Sequence, residues 1–166
     1  MINLKNFGLL EGLVLFSFIF VISTLIWTAS TKSAVEDKAN QVKSNHKKIV
    51  DFVNKEINDC DKINEKSKTI WGDNCKDIWS SEKIKDYINS NLKLENPYSK
   101  KNIIVESAQD PRLQAEGKAG QSTEIGTIFI SLNDFKSEPG SEWIIGTCVK
   151  SPCVAAGNNE LTSIYR

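Results

Sequence analysis

The chain has 166 residues, enough for one domain of ordinary size. Its 21 basic and 21 acidic residues cancel, which argues against a dedicated nucleic-acid binder, and a composition of 40% hydrophobic and 25% charged residues argues against global disorder. A single histidine, His46, leaves little room for a His-rich metal site or a histidine-based triad.

The first predicted element is apolar. Residues 7–27 read FGLLEGLVLFSFIFVISTLIW, with Glu11 as the only charge. As a helix, about 21 residues extend roughly 30 Å, the thickness of bilayer hydrocarbon. Lys5 precedes the segment, and Lys32, Glu36 and Asp37 follow it. The positive-inside tendency therefore puts the short N-terminus in the cytoplasm and the rest outside. A removable secretory signal fits poorly. Its apolar core is normally about 7–15 residues, and a cut after Ala29 would leave Trp27 where a small side chain belongs. A plain membrane anchor is the simpler alternative, but a carboxylate inside a membrane helix is costly and by default functional.

These residues resemble the start of a type IV prepilin. The likeness rests on a short leader with a lysine (MINLKN), then Phe7, two leucines, Glu11 and a long apolar helix, and it covers about residues 1–30. It implies that a membrane prepilin peptidase cuts between Asn6 and Phe7, removing residues 1–6, and N-methylates the new terminus. Asn6 stands where the family prefers Gly, and Gly12 where a bulky apolar residue is commoner. The resemblance also implies that Glu11 sets register in a filament by pairing with the amino group of a neighbour's Phe7. At an effective dielectric near 20, charges about 4 Å apart gain roughly 4 kcal/mol. Leaving either one buried alone costs several kcal/mol. The implied partners are further copies of the chain in a helical homopolymer, other pilins, the prepilin peptidase, an inner-membrane assembly platform, and lipid before assembly.

The same helix is expected to continue. No Gly lies between Gly12 and Gly72, and the first proline is Pro97. Ala34, Val35, Ala39, Val42, His46, Ile49, Val50, Val53 and Ile57 recur mostly at steps of three and four, one amphipathic face. One helix from Phe7 to about Asn58 would be roughly 75 Å long. Residues 7–28 form its membrane or filament-core half, and 29–58 its amphipathic half. A coiled-coil stalk would want sustained heptads, and this stripe covers barely three. His46, on the stripe, reads as a satisfied half-buried side chain rather than a ligand.

Residues 59–166 are expected to form a globular head. Its four cysteines, Cys60, Cys75, Cys148 and Cys153, lie on the side predicted to be outside the cytoplasm, where an even count reads as disulfides. Of three possible pairings, Cys60–Cys75 and Cys148–Cys153 are favoured because each closes a local loop. Neither pair has the CxxC spacing of a four-Cys zinc site. Between Asp61 and Trp79 the expected anchors are Ile63, Ile70, Trp71, Ile78 and Trp79, with Asp73, Asp77 and Glu82 solvated. Ser80 or Ser81 caps a short helix holding Ile84, Tyr87, Ile88 and Leu92. Strand-like runs follow at 102–107, 124–132, 142–149 and 161–165. They are separated by turn signals at Asp110-Pro111, Gly117 to Gly120, Pro139-Gly140 and Gly157-Asn158. Four such runs suggest an antiparallel meander, one face packed on the helix stripe. The expected fold is therefore α+β and pilin-like: a long N-terminal helix on an antiparallel sheet of about four strands.

Charge splits by region. Residues 32–101 carry 15 Lys and 12 acidic residues, and 102–166 carry 5 basic and 8 acidic. So small an imbalance reads as solvated surface, and Lys47-Lys48 with Lys100-Lys101 do not make a DNA site. Walker, GxGxxG, GxSxG and HExxH motifs are all absent, and so is a calcium-loop pattern. The expectation is a non-enzyme without cofactor or metal, a structural pilin located first in the inner membrane and then in an extracellular filament (a pilus or fimbrium). Family members serve in motility, cell adhesion, DNA uptake and secretion. The alternatives are a minor pilin, a type II secretion pseudopilin, or a single-pass anchored binding domain that never polymerises.

Overall fold

The computed structural model describes residues 8–62, 67–99, 104–118, 124–134 and 141–165. Helix α1 spans Leu9–Asp61, followed by α2 (Ser81–Asn91), β1 (Val105–Ser107), α3 (Pro111–Ala115), β2 (Ile128–Asp134), β3 (Ser141–Cys148) and β4 (Asn159–Tyr165). The chain divides into two compact units, Met1–Asp37 and Lys38–Arg166, and α1 contributes to both.

In the first unit, every described side chain of α1 is exposed except that of Glu36, which is half-buried. Nothing in this stretch opposes a helix: it has neither Pro nor, after Gly12, any Gly. It is long and apolar enough to cross a membrane. Ala34 and Val35, expected on the buried stripe, belong to this exposed stretch.

In the second unit, the periodic stripe becomes a packed face. Ala39, Val42, His46, Ile49, Val53 and Ile57 are all buried. Ile49, Val53 and Ile57 join Ile84 and Ile88 of α2, Trp71 and Trp79, Ile128 and Ile130 of β2, Trp143 and Ile145 of β3, and Ile164 of β4 in one core. The fold is thus α+β, with helices on a four-stranded sheet in the order β1-β2-β3-β4.

The expected all-antiparallel meander needs correction. β2–β3 and β3–β4 are antiparallel, but β1 pairs parallel with β2, Val105 opposite Ile128, so the sheet is mixed. A hairpin cannot join parallel neighbours, and a crossover is required. Residues 108–127 provide it and contain α3. Asp110-Pro111, expected to be a turn, starts this helix. The Asp110 carboxylate accepts from the Arg112 N–H at 2.9 Å, and Pro111 takes the first turn. The second run begins at Ile128 rather than residue 124, because Gly126 turns the chain at φ +83°. A side chain there would collide with Asn96, whose amide holds Ile125 O and Tyr98 N–H at 2.9 Å each.

The second sheet face is covered by α3. Its closest approach is at Gly146 of β3, where a Cβ would run into the carbonyl oxygen of Pro111. Gly146→Ala is therefore expected to lower stability by about 1–3 kcal/mol, read as a fall in the thermal midpoint of the full chain. Adding Pro111→Ala should not restore it, since the obstacle is backbone. An unchanged midpoint in Gly146→Ala would mean that α3 lifts away freely.

The β1 edge is closed by a side chain. Asn89 of α2 accepts from the N–H groups of Ile104 (3.2 Å) and Val105 (3.0 Å) and donates to Val105 O (2.9 Å). That occupies groups another strand would use.

Candidate functional site

The segment that carries the functional expectations is the beginning of α1. Asn6 and Phe7 lie outside the described residues. Glu11 falls in the first turn of α1, and the Gly12 N–H donates to Gly8 O at 3.1 Å. From Leu13 to Trp27 the large apolar side chains are each 52–73% exposed, a degree of exposure that a water-soluble surface rarely sustains. The polar residues in and just after this stretch do not break its apolar character. Ser17, Ser23, Thr24, Thr28 and Thr31 each donate their hydroxyl to a carbonyl three or four residues back, at 2.7–3.1 Å. Every such donor is satisfied within the helix, as a lipid or protein interior requires.

The cysteines pair locally. Cys60 and Cys75 have sulfurs 2.00 Å apart, and Cys148 and Cys153 1.94 Å apart. The first pair ties the last turn of α1 to the following loop. Nearby, buried Glu56 accepts from Ile70 N–H at 2.7 Å. The second closes the β3–β4 hairpin. There Val149 N–H donates to Asn158 O at 2.7 Å, and Asn158 and Asn159 donate to Pro152 O and Cys153 O at 2.9 and 2.6 Å.

Of the loop anchors, Trp71 and Trp79 are buried, whereas Ile70 and Ile78 are exposed. Ile63 lies outside the described residues. Asp73, expected to be solvated, is buried. Burial alone would raise its carboxyl, but hydrogen bonds from Lys83 and from the Ser80 N–H (2.8 Å) outweigh that and hold it below the usual carboxylate range. Asp73 thus caps α2 from outside while Ser80 caps it from within. No local rule of sequence reads an aspartate and a lysine ten residues apart as such a pair.

His46 is 4% exposed, with Nδ1 2.9 Å from Thr147 Oγ1 and Nε2 2.9 Å from Thr162 Oγ1. Both ring nitrogens are engaged, as expected of a satisfied side chain. Burial pushes the imidazole down to about 4, against a smaller upward pull from Glu160. On the other sheet face, buried Glu142 faces Arg112 (3.3 Å to each carboxylate oxygen) and accepts from Tyr165 Oη–H at 3.1 Å. Sequence reasoning singled out neither Glu142 nor Glu56, since alternation on a strand does not distinguish a buried acid from an exposed one. Among the described residues no group of three or more His, Cys, Asp or Glu side chains is arranged to hold a metal ion.

Comparison with protein-family models, with curated proteins and with solved structures finds no match to this chain.

Proposed function

We propose that the chain is the structural subunit of a type IV pilus-like filament, made as an inner-membrane precursor with its N-terminus in the cytoplasm. Prepilin peptidase cuts it between Asn6 and Phe7, and it then packs into an extracellular fibre through its apolar helix. One observation carries the reading: a single helix, α1, joins an apolar stretch exposed on all sides to an amphipathic stretch that is part of a disulfide-stapled α+β head. Such a stretch suits lipid before assembly and like helices afterwards. Glu11, the one charge in it, then has the register role, paired with the amino group of a neighbouring Phe7. The reading gives the head no catalytic duty and no cofactor.

The deciding experiment is N-terminal sequencing and intact mass of the protein from membrane and sheared-surface fractions. A chain beginning at N-methylated Phe7 in the sheared fraction is the expected result. A chain beginning at Met1 and confined to the membrane would replace this reading with a single-pass anchored domain. Glu11→Leu should leave membrane insertion intact while lowering incorporation into fibres at least about tenfold, as loss of even 1.4 kcal/mol requires. Normal fibre yield from that variant would remove Glu11 from the register role.

A further inference from the structure

The single histidine lies where two apolar clusters part. Ile49, Val53 and Ile57 of α1 belong to the large core. Ala39 and Val42 form a separate, small cluster with Val149, against which Tyr98 packs. Along α1 the two are divided by a polar band. Within it, Lys43 pairs with Glu160 of β4 at 3.3 Å, Asn45 donates to Glu95 O at 3.0 Å, and His46 bridges to Thr147 of β3 and Thr162 of β4.

We propose that His46 is an acid-operated latch on the seam between α1 and the β3–β4 hairpin. Proton uptake there frees the turns Lys38–His46 of α1 from the hairpin while the large core holds.

The chemistry follows from the two hydroxyls. A neutral imidazole has one N–H and one lone pair, and two rotatable threonine hydroxyls match them as one acceptor and one donor. The imidazolium has two N–H groups and a charge. Both hydroxyls must then accept, so the one that donated turns and gives up the ring as its acceptor, and the charge sits where water is excluded. The surrounding charges do little to offset this. β3 presents Thr147. β4 presents Glu160, which Lys43 of α1 already pairs. The 94–99 segment contributes a backbone carbonyl through Asn45. Of apolar packing, the turns beyond His46 have only Ala39 and Val42 against Val149 and Tyr98, where the large core has fourteen buried residues, so the seam yields on that side first.

The sign is fixed by the depressed folded value. An exposed histidine titrates near 6.5, and the buried ring near 4. The closed seam therefore has its full stability above about pH 6.5 and loses it as pH falls toward 4. The opening constant should rise about twentyfold from pH 7 to 5 and about a hundredfold by pH 4.

The test uses the full chain in detergent micelles. With one histidine, the imidazole Cε1–H signal in an NMR titration is unambiguous, and its midpoint should lie near 4. Helical turns without a packing face are marginal in water. Amide protection at 42–46 should therefore fall about twentyfold between pH 7 and 5, while that at 49–57 stays constant. His46→Gln, which keeps one donor and one acceptor but cannot titrate, should abolish the fall. A midpoint near 6.5, an equal fall at 49–57, or the same fall in His46→Gln would each overturn the latch. The first two are read on the unmodified chain, so the outcome does not depend on the variant folding.

Discussion

Replacing Trp143 with alanine is expected to destabilise the head by about 3–5 kcal/mol, the largest loss of any single substitution considered. Trp143 is 1% exposed on β3, opposite Leu132 of β2 and Ile164 of β4. It begins a chain of aromatic contacts. Its ring lies 6.3 Å from Trp79, which meets Trp71 edge-on at 5.1 Å; Trp71 lies 6.0 Å from Phe52 of α1, and Phe52 stacks on Tyr87 of α2 at 5.9 Å. The series links strand β3, the stapled loop, α1 and α2. Removing its first member leaves a cavity where four elements meet and forfeits an aromatic pair of about 0.5–1.5 kcal/mol. A domain stable by about 5–15 kcal/mol would lose much of its margin. Urea unfolding of the full chain in micelles reads the effect. Trp143→Phe should retain about half of the lost stability, and Ile78→Ala, at an exposed position in the same loop, should stay within about 0.5 kcal/mol of the parent. A Trp143→Ala midpoint no lower than that of Ile78→Ala would refute this account of the core.

Loss of the Cys60–Cys75 bond comes next. It spans 15 residues, and closing a loop of that size is worth about 3 kcal/mol in the chain-entropy account. The bond also fixes the loop bearing Trp71 and Trp79, so its removal loosens the middle of the aromatic series. The Cys60→Ser, Cys75→Ser double variant should therefore lose about 3 kcal/mol. The corresponding Cys148→Ser, Cys153→Ser variant should lose about 2 kcal/mol, because its loop spans only 5 residues. Its hairpin also keeps the backbone and asparagine bonds around Asn158. Equal losses would mean that loop size does not govern the effect, and non-reducing peptide mass spectrometry would expose any other pairing.

Features set by neighbouring residues were legible in the chain. The long helix followed from an uninterrupted stripe, the α2 cap from a serine before an apolar period, and the cysteine pairs from short separations. Features set by distant partners were not. The parallel placement of β1 depends on a crossover whose helix is only five residues, too short to leave a periodic signal. Ile70, Trp71, Ile78 and Trp79 all look like anchors by residue type, yet the loop turns only the two tryptophans inward. Asp73 and Glu142 sit among ordinary polar residues, and only the fold brings Lys83 and Arg112 to them. The proposed assembly residues stand apart, since Asn6 and Phe7 lie outside the described residues. With Glu11 they form a pattern in sequence, and in the proposed reading its meaning rests on what a neighbouring molecule supplies.

The hydroxyl bonds along the apolar stretch of α1 bear on how freely that stretch can change surroundings. Ser17, Ser23 and Thr24 are already committed to carbonyls of their own helix. Moving the stretch beyond Glu11 from lipid to another oily neighbour, or back, therefore breaks and makes no hydrogen bond of these hydroxyls. Hydrocarbon tails and apolar side chains are nearly equivalent as solvents, so for the stretch beyond Glu11 the transfer rests on shape and packing. That makes the step reversible in principle: the same helix can be drawn out of a bilayer and returned to it without rewiring.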